Sequence, residues 1–247
     1  MRLGGKVAIV TGGARHIGAA YCRRLAAEGA AVVIADVLDG EGVAKEIAAA
    51  GGKAIALKID VSREEDPARM AAETLQAFGR IDILVNNAAI FLNLQRHPFY
   101  EISAEEWDRV SAVNIKGPFL CAKAVFSQMK QQRSGKIINI SSSTVFAGTP
   151  LFLHYVASKA ALVGMTRSLA REAGEFGICV NAIAPGLVQH EGQNAPKDFT
   201  EFQLKARSIK RLQTPEDLLG VLVYLASSDS DFVTGQTFLV DGGSVFH

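Results

Sequence analysis

No block of like charge runs anywhere along this chain. Its 26 Lys and Arg stand against 25 Asp and Glu, a net charge of +1. Such a balance argues against broad electrostatic binding to nucleic acid or to a membrane surface. Long apolar runs are missing as well. No stretch is long enough to span a bilayer, and no basic, apolar, small-residue leader stands at Met1. Cysteine is scarce: Cys22, Cys121 and Cys179 share no metal-ligand spacing. An odd, sparse set suits a reducing compartment, so the expectation is a cytoplasmic protein with packed thiols and no metal. Pro- or Ser-rich linkers, low-complexity tracts and internal repeats are absent. What is left is 247 residues, 49% of them hydrophobic, enough to bury one large core. A single domain over 1–247 follows.

Short apolar runs alternate with helical patterns. Strands are predicted at 6–11, 31–36, 53–59, 82–86, 135–141, 178–184 and 236–240. Helices are predicted at 16–29, 40–50, 64–79, 103–132, 154–175 and 215–226. Regular alternation implies parallel strands joined by right-handed crossovers. The fold class is therefore α/β, a doubly wound parallel sheet of about seven strands with helices on both faces. Ligands of such sheets bind beyond the carboxyl ends of the strands. The segment 187–213 breaks the pattern: it is polar, contains Gly192 and Pro196, and carries a weak helical pattern near 198–208. It reads as a lid over the site.

Two chemical signals stand out. Tyr155 and Lys159 lie four positions apart on a predicted helix and so share one face. A lysine ammonium one turn away favours the phenolate, which would make the tyrosine a general acid/base near neutral pH. Nearer the start, an apolar strand ends at Thr11, followed by Gly12-Gly13-Ala14-Arg15-His16-Ile17-Gly18, a helix, a second strand, and Asp36. Strand, glycine turn, helix, strand and acid is the order of a dinucleotide-binding Rossmann-type unit. Glycines admit the pyrophosphate, the helix N-terminus attracts it, and the carboxylate takes a ribose hydroxyl. A 2′-phosphate would meet that carboxylate and be repelled, so NAD is expected. Arg15 pulls toward NADP unless it is solvated or paired with Asp36.

Taken in order, these motifs resemble the short-chain dehydrogenase/reductase family from Lys6 to Gly243. Thr11-Gly12-x-x-x-His16-Ile17-Gly18 matches the family's glycine motif except at His16, where the family has glycine. Asn86-Asn87-Ala88-Ala89, Asn181-Ala182-Ile183-Ala184-Pro185-Gly186 and Val240-Asp241-Gly242-Gly243 look like further family segments. The resemblance implies a catalytic tetrad of Asn114, Ser142, Tyr155 and Lys159, with Ser142 picked from Ser141-Ser142-Ser143 by its 13-residue spacing to the tyrosine (155 − 142). It implies cofactor contacts at Gly12, Arg15, His16, Ile17, Gly18, Asp36, Asp60, Val61, Asn87, Ala88, Tyr155, Lys159, Pro185, Gly186 and Val188. Asp60 also reads as an N-cap for a helix near Arg63. His190 stands where the family often has threonine.

The implied substrate wall comprises Phe91, Leu92, Asn93 and Leu94, then Thr144 and Phe146, Phe152, and Leu187 to Gln193, together with Ser142 and Tyr155. It is apolar and aromatic without an arginine or lysine cluster. An aryl or cyclic secondary alcohol fits it better than a phosphorylated or carrier-linked substrate. The segments 146–150 and 211–213 with the C-terminal histidine look similar to members acting on 1-phenylethanol or pyridoxal. Two rivals stand beside this reading: an NADPH-dependent carbonyl or 3-oxoacyl-thioester reductase, and a cofactor-binding sensor or scaffold without turnover. Helices 103–132 and 154–175 carry apolar residues on more than one face, which implies a further partner. The family resemblance makes that partner a second copy, and closure of two interfaces gives a homotetramer.

Overall fold

The computed structural model describes residues 1–92, 94–189 and 204–246. Asn93, His190 through Gln203, and His247 lie outside the described residues, and with them the sequence expectations for Asn93, His190, Gln193 and most of the 198–208 helix.

Seven strands form one parallel sheet in the order β3-β2-β1-β4-β5-β6-β7. They are β1 Val7–Thr11, β2 Ala31–Asp36, β3 Lys53–Lys58, β4 Ile83–Asn86, β5 Gly135–Ile140, β6 Ile178–Pro185 and β7 Thr237–Val240. Each predicted strand is present to within a residue or two. The helices are α1 His16–Ala27, α2 Glu41–Ala49, α3 Glu65–Phe78, α4 Ala104–Ser111, α5 Gly117–Gln132, α6 Thr144–Ala147, α7 Leu153–Ala173 and α8 Glu216–Ala226.

Strand alternation divides the core. Ala8, Val10, Val32 and Ile34 face one layer, with Leu25, Ile47, Leu218 and Leu222 from α1, α2 and α8. Ile9, Val33, Ala35 and Leu84 face the other, with Met70, Val125, Met129 and Ala170 from α3, α5 and α7. Both faces being covered, the strands read as continuous apolar runs, as buried parallel strands do. A short polar chain crosses the second layer: Asn86 Nδ2 donates to Asn139 Oδ1 at 2.9 Å, and Asn139 Nδ2 to Thr166 Oγ1 at 2.9 Å. It pins α7 against β4 and β5.

Two sequence expectations need correction. The helix predicted over 103–132 is interrupted. Ala112–Lys116 forms a π-turn between α4 and α5, with Asn114 at its centre. Asn114 is fully buried and its amide is committed elsewhere, so the helix widens around it. Asp60 is not a helix cap. α3 begins at Glu65, and the Asp60 carboxylate instead accepts from Ser62 N at 3.0 Å and Ser62 Oγ at 2.7 Å in a local turn.

The described ends of the segment expected as a lid are tied together. Val188 bridges Gln213, and Gln189 N donates to Gln213 O at 2.8 Å. The buried Arg207 spans the gap, Nη2 donating to Leu187 O at 2.7 Å and Nη1 to Arg211 O at 3.1 Å.

Candidate active site

The chain runs from β1 outward to the edge strand β3, then crosses back to β4 on the other side of β1. The crevice between the carboxyl ends of β1 and β4 is the topological switch point, where open α/β sheets hold ligands. Asn87 staples this crevice. Its Nδ2 donates to Thr11 O at 3.0 Å and to Gly12 O at 2.9 Å. Thr11 Oγ1 in turn accepts from Asn87 N at 3.0 Å and Ala88 N at 3.1 Å. The resemblance implied a ribose contact for Asn87; its side chain here shapes the glycine turn.

That turn admits no side chain at two positions. Gly12 has φ +65 and a Cβ there would stand 2.8 Å from Ala88 Cα. A Cβ on Gly18 would stand 1.9 Å from Gly12 O. His16 takes the left-handed region too, with φ 51, a conformation that costs a residue with a Cβ. The His16 pKa lies below its ordinary value, first through burial and then through the neighbouring Arg15 charge. The first turn of α1 holds no acidic residue to offset the positive end of its dipole. Asp36, buried at the end of β2, accepts from Ala14 N and Leu38 N, both at 3.0 Å. Arg15 is exposed and makes no ion pair with Asp36. The helix start and this acid fit a dinucleotide: pyrophosphate at the first, ribose at the carboxylate.

Ile17 packs its side chain against the core, and Val61 is buried. Pro185 O accepts from Ser143 N at 2.8 Å, and Gly186 N donates to Val240 O at 2.9 Å. A Cβ on Gly186 would meet Gln213 Oε1 at 2.8 Å. Val188 is buried.

The tetrad residues converge at the ends of β5 and the first turns of α7. Of the three adjacent serines, Ser141 turns inward and donates to Lys159 O at 2.9 Å, while Ser142 stands near enough to the Tyr155 phenol to favour its ionised form. Ser142 Oγ accepts from Thr144 Oγ1 at 2.9 Å and from Thr144 N at 3.3 Å, which leaves its own hydrogen to donate. Lys159 Nζ donates to Ile140 O at 2.8 Å. Asn114 is anchored on two sides: its Oδ1 accepts from Ile90 N at 2.8 Å, and its Nδ2 donates to Ile90 O at 3.2 Å and Ser158 Oγ at 3.1 Å. Ser158 Oγ donates to Tyr155 O at 2.7 Å. The amide therefore ties the loop after β4 to the helix that carries the tyrosine.

One electrostatic expectation is not met. Burial raises the Tyr155 pKa above its ordinary value, and only the Ser142 hydrogen bond opposes it. Lys159 is itself buried, which pushes its pKa down to about 8. Desolvation thus weighs on both partners and is the largest cause of each shift.

Two rings named in the expected wall stand against the tyrosine. Phe152 stacks on Tyr155 with ring centroids 4.7 Å apart, and Phe91 lies 5.1 Å from Tyr155 and 6.0 Å from Phe152. One element was not foreseen. The Arg96 guanidinium carbon stands 5.1 Å from the Phe152 ring centroid, so the wall has a cationic rim. Arg96 sits in an irregular loop with no periodicity, and nothing in the sequence pattern aims it.

A doubly wound sheet with a glycine turn at its switch point and a Ser-Tyr-Lys group beyond β5 defines a dinucleotide-dependent oxidoreductase. The comparisons narrow the class. The model of a family described as enoyl-(acyl carrier protein) reductase matches residues 12–245. The chain is 41% identical over 257 residues to galactitol 2-dehydrogenase of Agrobacterium fabrum, covering 99% of each. It is 42% identical over 246 residues to a 3-alpha-(or 20-beta)-hydroxysteroid dehydrogenase of Mycobacterium bovis, covering 99% of this chain and 91% of the other. A short-chain alcohol dehydrogenase structure from Sinorhizobium meliloti superposes with TM-score 0.93 at 33% identity, covering 98% and 97%. The chain belongs to the short-chain dehydrogenase/reductase family, oxidoreductases of alcohols and ketones that use a nicotinamide cofactor. Among the described residues no helix is long and apolar enough to cross a membrane.

Proposed function

We propose that this protein moves a hydride between NAD(H) and a secondary alcohol or its ketone, with an aromatic or cyclic body on the substrate. The observation that carries the reading is the placing of Ser142 beside Tyr155, whose ring stacks on Phe152 and meets Phe91 at a tilt. Tyr155 gives a proton to the carbonyl oxygen in reduction and takes it back in oxidation. Ser142, its acceptor capacity filled by Thr144, directs its hydrogen to the same oxygen and stabilises the charge that develops there. Lys159 supplies the adjacent ammonium and a ribose contact, and Asn114 holds the backbone around the proton path. When bound, the nicotinamide carries the hydride.

NAD rather than NADP is favoured by Asp36. Its carboxylate reaches the glycine turn through Ala14 N and makes no ion pair with Arg15, which supports a hydroxyl rather than a phosphate on the ribose. The galactitol and hydroxysteroid dehydrogenases are alcohol dehydrogenases by name, which agrees with a carbinol substrate. The flat rings at this wall favour a cyclic or aryl group over an open polyol. The protein is read as cytoplasmic and as a homotetramer. Phe119 is 48% exposed on α5 and lines a groove of about 560 Å³ with Ile115 and Met165, and Trp107 is 39% exposed on α4. Such surface suits a second copy. A screen of secondary aryl, cyclic and polyol alcohols with NAD and with NADP tests this function. Turnover of aryl or cyclic alcohols with NAD supports it, and turnover confined to NADPH with thioester-linked ketones replaces it with the reductase reading.

A further inference from the structure

Three side chains from separate stretches meet beside the tyrosine site. His97 lies in the loop after β4, Glu106 in the first turn of α4, and His154 at the start of α7. Both imidazoles point at one carboxylate. His97 Nε2 is 3.2 Å from Glu106 Oε2, and His154 Nε2 is 3.2 Å from Glu106 Oε1. One ligand atom from each residue falls within 4.8 Å of the others.

Without an ion, His154 Nε2 and Glu106 Oε1 at 3.2 Å are within hydrogen-bond reach. Around a tetrahedral ion with bonds of about 2.0–2.1 Å, neighbouring ligand atoms stand about 3.3 Å apart, so the same spacing also admits one. The backbone beneath the ligands is held in place beforehand. Glu106 N donates to the Ser103 cap at 3.1 Å, and His97 N donates to Leu151 O at 3.1 Å. His154 is buried under the Phe152 ring, with centroids 5.8 Å apart.

The cluster also has an approach from solvent. His97 and Glu106 line a cavity of about 620 Å³, together with Glu101, Glu105 and Arg109. Three carboxylates against one guanidinium give that cavity a field that favours a cation. Its open side leaves room for water as a further ligand. Two imidazoles and one carboxylate suit zinc and its neighbours, whereas magnesium and calcium take oxygen ligands.

We propose that His97, Glu106 and His154 form a binding site for a divalent transition metal of the zinc class. The ion ties the loop that carries Phe91 and Arg96 to α4 and α7. It takes no part in the hydride or proton transfer, and the proposal does not depend on the oxidoreductase reading.

The test is titration of the purified full chain, freed of metal by chelator, with Zn²⁺ by calorimetry and with Co²⁺ by visible absorption. One ion per chain is expected, with cobalt bands of tetrahedral intensity, undisturbed by millimolar Mg²⁺. His97→Ala and Glu106→Gln should each weaken Zn²⁺ binding about tenfold or more. His97 comes from a loop, so its loss should leave the fold intact, as circular dichroism and thermal melting would check. Absence of saturable Zn²⁺ binding would overturn the proposal. So would wild-type affinity in folded His97→Ala, which would move the ion to another histidine.

Discussion

Lys159 Nζ lies 5.7 Å from the centroid of the Tyr155 ring and donates its hydrogen bond to the backbone of Ile140. The pair is close, yet each member is buried and each is pushed toward its neutral form. A neutral phenol is ready to act as an acid, whereas oxidation must begin by ionising it. The lysine's contribution therefore belongs with the occupied site, while its burial burdens the fold.

That burden has a pH signature. The Lys159 pKa is lowered from 10.5 to about 8 in the folded chain. The unfolded chain binds the proton more tightly, so folding is penalised wherever lysine is charged in the unfolded state. The penalty is full below about 8, shrinks as pH rises toward 10.5, and is gone above it. Its size at neutral pH is about 3 kcal/mol at most, less roughly 1 kcal/mol for the lost bond to Ile140. Lys159→Met should therefore melt higher than the parent at pH 7 and lose that advantage by pH 10, while turnover collapses. Thermal melts across this range, with kcat at pH 7, check it.

Asp36→Ser should let NADP in by removing a repulsive charge from the ribose edge. The ratio of kcat/KM for NAD over NADP should fall at least tenfold. A parent enzyme that already prefers NADP would remove the assigned role of Asp36.

His16→Gly should stabilise the fold by roughly 1 kcal/mol, because glycine takes φ 51 without the cost a Cβ imposes. Burial and the Arg15 charge both disfavour the protonated ring, so NAD affinity should show no gain between pH 8 and pH 5.5 in either form. Calorimetry with NAD at pH 5.5 and 8 tests a pyrophosphate contact. An affinity gain at the lower pH that vanishes only in the glycine variant would establish one.

Phe119→Glu should break the assembly. Phe119 is half exposed on α5 in a groove whose lining is mostly apolar apart from Asp108 and Lys116, and desolvating a carboxylate there on assembly is costly. Light scattering should show a tetramer for the parent and smaller species for the variant. A parent that is monomeric at micromolar concentration would rule out the oligomer.

Much of this was legible in the sequence, for reasons particular to each residue. Strands buried on both faces announce themselves as unbroken apolar runs, as in Val7–Thr11 and Ile178–Pro185. The glycines at 12 and 18 stand where the turn closes on itself too tightly for a Cβ. The spacing of Ser142 to Tyr155 singles out the serine that faces the phenol. What stayed hidden depends on loops and on competing terms. The π-turn at Asn114 arises from contacts to Ile90 and Ser158, both distant in the chain. Arg96 and His97 take their directions from a loop whose course no periodicity sets. The pKa of Tyr155 turns on how fully it is buried, which a four-residue spacing does not reveal.

The central claim is that Tyr155 carries the proton at the carbinol oxygen. Tyr155→Phe keeps the ring stacked on Phe152 and removes only the hydroxyl. The account predicts that kcat falls about 10²–10⁴-fold on the best secondary alcohol, while the affinity for NAD measured by calorimetry stays within a few fold. A phenylalanine variant that retains near-parental kcat would contradict it.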